Sequence, residues 1–526
     1  MEMPERPQIA RRAIACAAFL GLLADPLLRN GPWGFGLLIW MCAFAAVVVT
    51  LGQNSGRPFS AESSGWLALA VIFAAGLSWR DTDVLQFFDV VAMLTSLTLL
   101  AMSMTAIPVA GIASARVRDL IRAAFGTGLD VATGAVPLVI HDMELHAELR
   151  ASNEGSARKV GRAIVITVPI VLVFMLLFVQ ADPVFGSFVT LPTINFGLIV
   201  SHLVVAGFFA WVVAGWLRRS LLPSSQIASS TDTQFPISLG ATDIALALGA
   251  LNVLFAAFIA VQIGWLFGGE ALVLKTTGLT YAEYARRGFF ELTCVAVLLL
   301  PVLLSAQALI PAADLRALRL FRRLALPLVV LLGAVMASAA ARMKLYVDFY
   351  GISTDRLYAT AFMIWLAMVF VWLAVTVLRS RPRSFATGFV LSGFAVLFAL
   401  NILNPAALVA RANLARGDAT PRKGATGSDV RYLASLGGDA VPLLVAALAA
   451  PSATADSVAL KNRCSAAHIV LARWSAERRQ EIAHSWPQWN LARVRAAEAI
   501  AASAAELRRL ACAPAPNGSD APPTSP

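Results

Sequence analysis

GATDIALALGALNVLFAAFIAVQIGWLFGGE, Gly240–Glu270, is the stretch on which the fold turns. Between Ile244 and Phe267 its only strongly polar side chains are those of Asn252 and Gln262. A helix of this length crosses a hydrocarbon core of roughly 30 Å. Lipid offers no water to backbone N–H and C=O groups, so the run takes the form that pairs them internally, a helix. The residues that follow, ALVLKTTGLTYAEYARRGFFEL (Ala271–Leu292), are polar and aromatic and end in a second apolar run. This unit, an apolar span and then a compact charged loop, recurs through most of the chain. It predicts an all-α fold, a polytopic transmembrane helical bundle.

Composition agrees with that reading. The 526 residues are 58% hydrophobic and 14% charged, against about 25% charge in ordinary soluble domains. A net charge of +11 is a nucleic-acid signal in a soluble protein. Here the basic residues sit beside apolar spans, where the bias of Lys and Arg toward the cytoplasmic side places them, so no nucleic-acid partner is expected. The five cysteines, Cys16, Cys42, Cys294, Cys464 and Cys512, lack metal-ligand spacing. No metal and no cofactor are expected, and no nucleotide-binding loop or serine-hydrolase elbow occurs.

Taken in order, hydropathy predicts about eleven spans. They lie near Ala13–Leu28, Gly34–Leu51, Trp66–Trp79, Val84–Ile107, Ala163–Phe178, Phe196–Leu217, Ile244–Phe267, Phe289–Leu309, Leu324–Ala341, Ala359–Leu378 and Phe385–Leu403. Trp33, Trp66 and Trp79 fall at span ends, as an interfacial aromatic belt requires. Residues 1–107 hold the N-terminal membrane helices, and residues 163–403 hold the main membrane bundle. Between them, residues 108–162 form a basic connector with Arg116, Arg118, Arg122, Arg150, Arg158, Lys159 and Arg162. Its middle, near Leu120–Ile140, reads as an amphipathic segment lying on the membrane surface; a true crossing there would raise the count to about twelve. With the N-terminus cytoplasmic, the arginine-rich connector and the basic stretches at 218–219, 314–323 and 379–383 all fall inside, and the C-terminus falls outside.

Residues 404–510 are alanine- and leucine-rich but broken every few positions by charge. They read as a small α-helical extramembrane domain, with helices near Asp439–Ala449, Thr454–Lys461, Ser465–Ala483 and Asn490–Leu510 and with Ile469, Trp474 and Ile482 as packing positions. Residues 511–526 read as a proline-rich disordered tail.

The run ALNVLFAAFIAVQIGWLFGG with TTGLTYAEYARRGFFEL, the Arg342–Asp348 and Tyr350–Tyr358 stretches, Asn404-Pro405, Asn413–Arg416 and the Trp79-Arg80-Asp81 turn together resemble a bacterial membrane family, domain of unknown function 4173. That family is related to a second group numbered 4153. The family pattern has an acidic residue where this chain has Thr242, with Asp243 beside it. The resemblance implies a bacterial inner (plasma) membrane protein, and it implies no activity or catalytic residues; it is the charge pattern that puts the C-terminal helical domain in the periplasm.

Three groups of residues carry chemistry. Arg342, Lys344, Tyr346, Asp348, Tyr350, Asp355, Arg356 and Tyr358 crowd a loop between two spans. A guanidinium fork from Arg342 or Arg356 could clamp a phosphate or carboxylate there, which makes it the candidate ligand or lipid-headgroup loop; the alternative is an internally paired bridge between the spans. Tyr281, Glu283, Tyr284, Arg286, Arg287 and Glu291 form a secondary surface cluster before the next span. It suits either an anionic lipid or simple anchoring by snorkelling side chains. Asp89, His202, Asn252 and Gln262 are intramembrane polar residues, costly in lipid and expected to face the bundle interior. An Asp/His pair suits a proton-coupled transporter, while Asn252 and Gln262 suit hydrogen bonds between helices. Asp81 and Asp83 read as a solvated helix cap. His141, Asp142, Glu144, His146 and Glu148 have metal-ligand types but read as a solvated connector.

The function these residues suggest is that of a non-enzymatic integral membrane protein, a transporter or an envelope regulatory or scaffold component. The alternative is a membrane-embedded transferase acting on lipid-linked substrates. Expected partners are the bilayer, an anionic lipid or lipid-linked substrate, and a periplasmic protein at the C-terminal helical domain.

Overall fold

The computed structural model describes residues 6–55, 59–105, 117–142, 171, 196–222, 239–277, 289–311, 313–379, 384–416, 430–450, 457–474 and 486–511. The described residues are helical and contain no strand. Nine described helices are long and apolar enough to cross a membrane. In chain order the helices are α1 (Arg6–Leu28), α2 (Phe35–Asn54), α3 (Ala61–Trp79), α4 (Asp83–Met104), α5 (Val117–Thr133), α6 (Phe196–Leu221), α7 (Ala241–Thr277), α8 (Phe289–Leu309), α9 (Leu315–Tyr350), α10 (Thr354–Thr376) and α11 (Phe385–Leu403). Shorter helices follow: α12 (Pro405–Arg416), α13 (Val430–Ser435), α14 (Val441–Ala449), α15 (Ser457–Arg473), α16 (Leu491–Ala502) and α17 (Ala504–Leu510). The nine candidate spans are α2–α4 and α6–α11. The expected first span is α1, a helix that is not among those nine. The expected span near Ala163–Phe178 lies outside the described residues apart from Val171.

Two boundaries differ from expectation for one reason. The basic stretch with Arg316, Arg319, Arg322 and Arg323 was expected as a loop, and so was the segment from Arg342. Both belong to α9, one helix from Leu315 to Tyr350. Arg, Lys, Leu and Ala are all good helix formers, and charge alone does not end a helix. What bounds α9 is capping. The Asp314 carboxylate accepts from the Arg316 and Ala317 N–H groups at its start, and Gly351 at φ 84° ends it. A left-handed residue in that position suits glycine. Among the shorter helices, the two expected between Thr454 and Ala483 are one helix, α15, as far as Arg473, and the one expected over Asn490–Leu510 is divided at Ser503.

The chain forms two compact units. The first comprises Met1–Val71, Leu94–Ile107 and Arg122–Ser225. Its centre is the pairing of α1 with α6, which touch at Gly21: a Cβ there would lie 2.4 Å from the Ala206 carbonyl oxygen. Small residues permit such backbone approach in lipid. Trp40 Nε1 donates to the Leu20 carbonyl at 2.9 Å. At one end Asp142 receives both Arg6 (2.7 Å) and Arg218 (2.6 Å), so it is an ion-paired residue and not part of a solvated connector. Along the later turns of α5, Phe125 and Leu129 are exposed at four-residue spacing, two apolar side chains on one face of the helix.

The second unit comprises Ile72–Met93, Pro108–Ile121 and Gln226–Pro526. Its apolar core runs through α7–α10, with Phe321, Leu328, Leu332, Val369 and Leu373 fully or almost fully buried. Leu246, Val253, Leu254 and Val261 on α7 are exposed, the face such a helix turns to lipid. A further core joins α12–α17, built on Val409, Leu433, Leu444, Val470 and Ile500, with Ile352 and Leu357 packed against it.

Candidate functional site

The expected loop from Arg342 to Tyr358 is a helix–corner–helix. The last turns of α9 carry Arg342 to Tyr350, the residues Gly351–Ser353 turn the chain, and α10 begins at Thr354. Ser353 caps α10 by accepting from the Arg356 N–H at 3.4 Å. Asn413 of α12 pins the turn, donating to the Ile352 carbonyl at 2.7 Å and accepting its N–H at 3.3 Å. Tyr432 Oη accepts the Thr354 N–H at 2.9 Å.

Below this corner α9 and α10 diverge around a groove of about 600 Å³. On α9 it extends from Val329 to Val347, about 27 Å of helix. Leu332, Met336, Ala340 and Met343 line one side, and Met363, Ile364 and Phe370 the other. Two cations, Lys344 and Arg356, stand among these apolar walls. Lys344 is exposed. The Arg356 guanidinium lies 4.1 Å from the Tyr346 ring centroid and donates to the Gly351 carbonyl. The corner thus presents fixed positive charge at the end of a long apolar slot.

The eight residues do not act together. Arg342 turns away and donates to Gln262 Oε1 of α7 at 2.6 Å. Asp348 and Asp355 are exposed. Tyr358 buries a hydroxyl with no partner. The Tyr350 side chain lies outside the described residues, as do Tyr281, Glu283, Tyr284, Arg286 and Arg287; Glu291 is an exposed residue in the first turn of α8. Asn252 Nδ2 donates to the Leu324 carbonyl at 2.9 Å, binding α7 to α9.

Asp89 and His202 belong to different units and have different partners. His202 Nδ1 bonds Asp25, which also holds Arg29 at 2.7 Å. Asp89 Oδ1 accepts from Asn401 Nδ2 at 2.8 Å.

A buried polar cluster was not foreseen. Arg80 donates to the Asn401 carbonyl at 2.7 Å and to Asp439 Oδ1 at 3.1 Å. Asp439 also accepts the Asp81 N–H at 2.8 Å and Asn404 Nδ2 at 2.9 Å. Asp81 is no solvated cap: it receives Arg493 at 2.7 Å and the Gly438 N–H at 3.0 Å. Asn490 Nδ2 bonds the Leu77 and Arg80 carbonyls at 2.8 and 2.9 Å. Burial pushes the Asp439 carboxyl above the usual carboxylate range, against the opposing pull of the Asp81 N–H and Arg80. The Trp79-Arg80-Asp81 turn and Asn404-Pro405 are among the stretches that carry the family resemblance, but nothing local links either to Asp439 or Arg493.

Apolar helices with lipid-facing surfaces, a charged-rim groove and a polar cluster at the helix ends define a helical membrane protein. The chain belongs to the family described as Domain of unknown function (DUF4153), whose model matches residues 67–447. That span contains the groove, Arg80 and Asp439. Of the two groups named in the resemblance, it is this one that is matched; membership of the group numbered 4173 is not shown. No curated protein and no solved structure matches the chain.

Proposed function

We propose that the protein is an inner-membrane component of the bacterial envelope that holds an anionic lipid or lipid-linked molecule in the groove between α9 and α10. The observation that carries this reading is the groove itself: a long apolar slot with Lys344 and Arg356 among its lining residues. Basic side chains attract anionic headgroups at a membrane surface. Among the described residues, the lining side chains include no carboxylate, imidazole or thiol, a lining suited to binding. That favours a transport, regulatory or scaffold role over a transferase.

The proposed orientation puts the N-terminus in the cytoplasm and residues 404–510 in the periplasm. Cys464 is disulfide-bonded, and disulfides persist in oxidising compartments such as the periplasm. Reporter fusions after residues 150 and 420 test it: the first should report from the cytoplasm and the second from the periplasm. Lipid extracted from the purified protein tests the binding reading. Enrichment of anionic over zwitterionic phospholipid relative to the host membrane is expected, and a composition equal to that of the membrane would refute it.

A further inference from the structure

Asp89 and Asn401 meet over Gly76 and leave two acceptors without a donor. Asn401 Nδ2 donates to Asp89 Oδ1 at 2.8 Å and to the Leu397 carbonyl at 3.1 Å, which uses both of its hydrogens. Asp89 Oδ2 and Asn401 Oδ1 are buried and have no hydrogen-bond partner among the described residues. Both flank one point. A Cβ built on Gly76 would lie 2.6 Å from Asp89 Oδ2 and 3.2 Å from Asn401 Oδ1. Two oxygens therefore face a small space that glycine keeps open.

Among the described residues, no countercharge is bonded to Asp89. Asp89 is 0% exposed and Asn401 4%. Arg80 directs its guanidinium at the Asn401 carbonyl and at Asp439. Tyr358, its hydroxyl also buried and unpartnered, lies within electrostatic reach of Asp89, Asp439, Asp355 and Tyr432. An ionised carboxylate here would sit buried among the helix ends with one neutral donor, an arrangement that burial strongly disfavours. Two acceptors beside one small space are satisfied only by a hydrogen that one of them carries or that a donor brings.

We propose that Asp89 and Asn401 form a proton-binding site within the membrane. Taking up one proton makes Asp89 a neutral acid. Its Oδ2–H donates to Asn401 Oδ1 while Asn401 Nδ2 donates to Asp89 Oδ1, and the two side chains close a ring. Releasing the proton restores a carboxylate with a single donor, so the site empties only when water or another donor reaches it. This gives the protein a proton-coupled step and does not depend on the lipid groove.

Infrared spectroscopy of the full chain in lipid nanodiscs reads the neutral acid through its carboxyl C=O stretch. The band is expected at neutral pH, lost in Asp89→Asn and shifted in Asn401→Leu. Dicyclohexylcarbodiimide, an apolar reagent that attacks protonated carboxyl groups, tests the unmodified protein without any variant. Peptide mass spectrometry should find the adduct on Asp89. If neither the band nor the adduct occurs at neutral pH, the proposal fails. If sodium chloride at constant pH, against a choline chloride control, abolishes the adduct, the site takes a metal cation and the proton assignment is overturned.

Discussion

The Arg80 guanidinium donates to the Asp439 carboxylate at 3.1 Å, joining residues 359 positions apart in the chain. Both side chains are almost fully buried, at 7% and 3% exposure. The pair fastens the turn between α3 and α4 to the short helices of the C-terminal region, and Asp81 with Arg493 repeats the fastening.

Removing one member leaves a buried charge without its partner. Arg80→Ala should lower stability by about 3–5 kcal/mol, read as a fall in the midpoint of thermal unfolding in detergent. The double variant Arg80→Met with Asp439→Leu should lose less than the sum of the two single variants, because the attraction within the pair is removed only once, although it also leaves the Asp81 N–H, Asn404 Nδ2 and Asn401 carbonyl without those partners. Strict additivity of the two losses would contradict this account.

Burial raises the Asp439 carboxyl above its unfolded value, so the folded chain binds this proton more readily than the unfolded chain. The contribution of Asp439 to stability is then fully present below the ordinary carboxylate range, and it is lost as pH rises through the raised folded value. Unfolding midpoints of the wild type should carry a downward component with rising pH across that window. Asp439→Asn should remove that component.

Gly437 touches the same turn. A Cβ there would lie 1.8 Å from the Asp81 carbonyl oxygen, and backbone cannot rotate aside as a side chain can. Gly437→Ala should cost about 1–3 kcal/mol through overpacking and speed protease cleavage within 404–510. Gly333→Ala, whose added Cβ meets nothing within 4 Å, is the control and should change neither reading.

The open space above Gly333 lies in the groove. Gly333→Leu should fold normally and retain less copurified lipid. Lys344→Glu should reduce the share of anionic lipid without emptying the slot, because the apolar walls remain. Equal lipid profiles for wild type and both variants would separate the groove from lipid binding.

Parts of the site were legible in sequence. Asn252 and Gln262 were expected to bond other helices, and they do, to Leu324 and Arg342. The crowding of charge from Arg342 to Tyr358 suggested a loop where the chain has the end of α9, a short turn and the start of α10, because charge density says where the chain meets water and not where a helix ends. The groove was invisible: Met336 and Met363 are ordinary apolar residues until two helices diverge beside them. The partner of Asp81 was equally hidden, since Arg493 and Gly438 are brought to it only by packing.

Sequence by itself determined the all-α, membrane-spanning character of this protein and nearly every helix from α2 to α11. Lipid forces each apolar run to satisfy its own backbone, and caps such as Asp314 and Gly351 act within a few residues of where they stand. Only the tertiary structure decided that Asp89 meets Asn401, that Arg80 meets Asp439 and that Lys344 and Arg356 share a slot. Those pairings depend on how distant helices pack, and the cost of burying an unpartnered polar group is set by neighbours that no local stretch of sequence names.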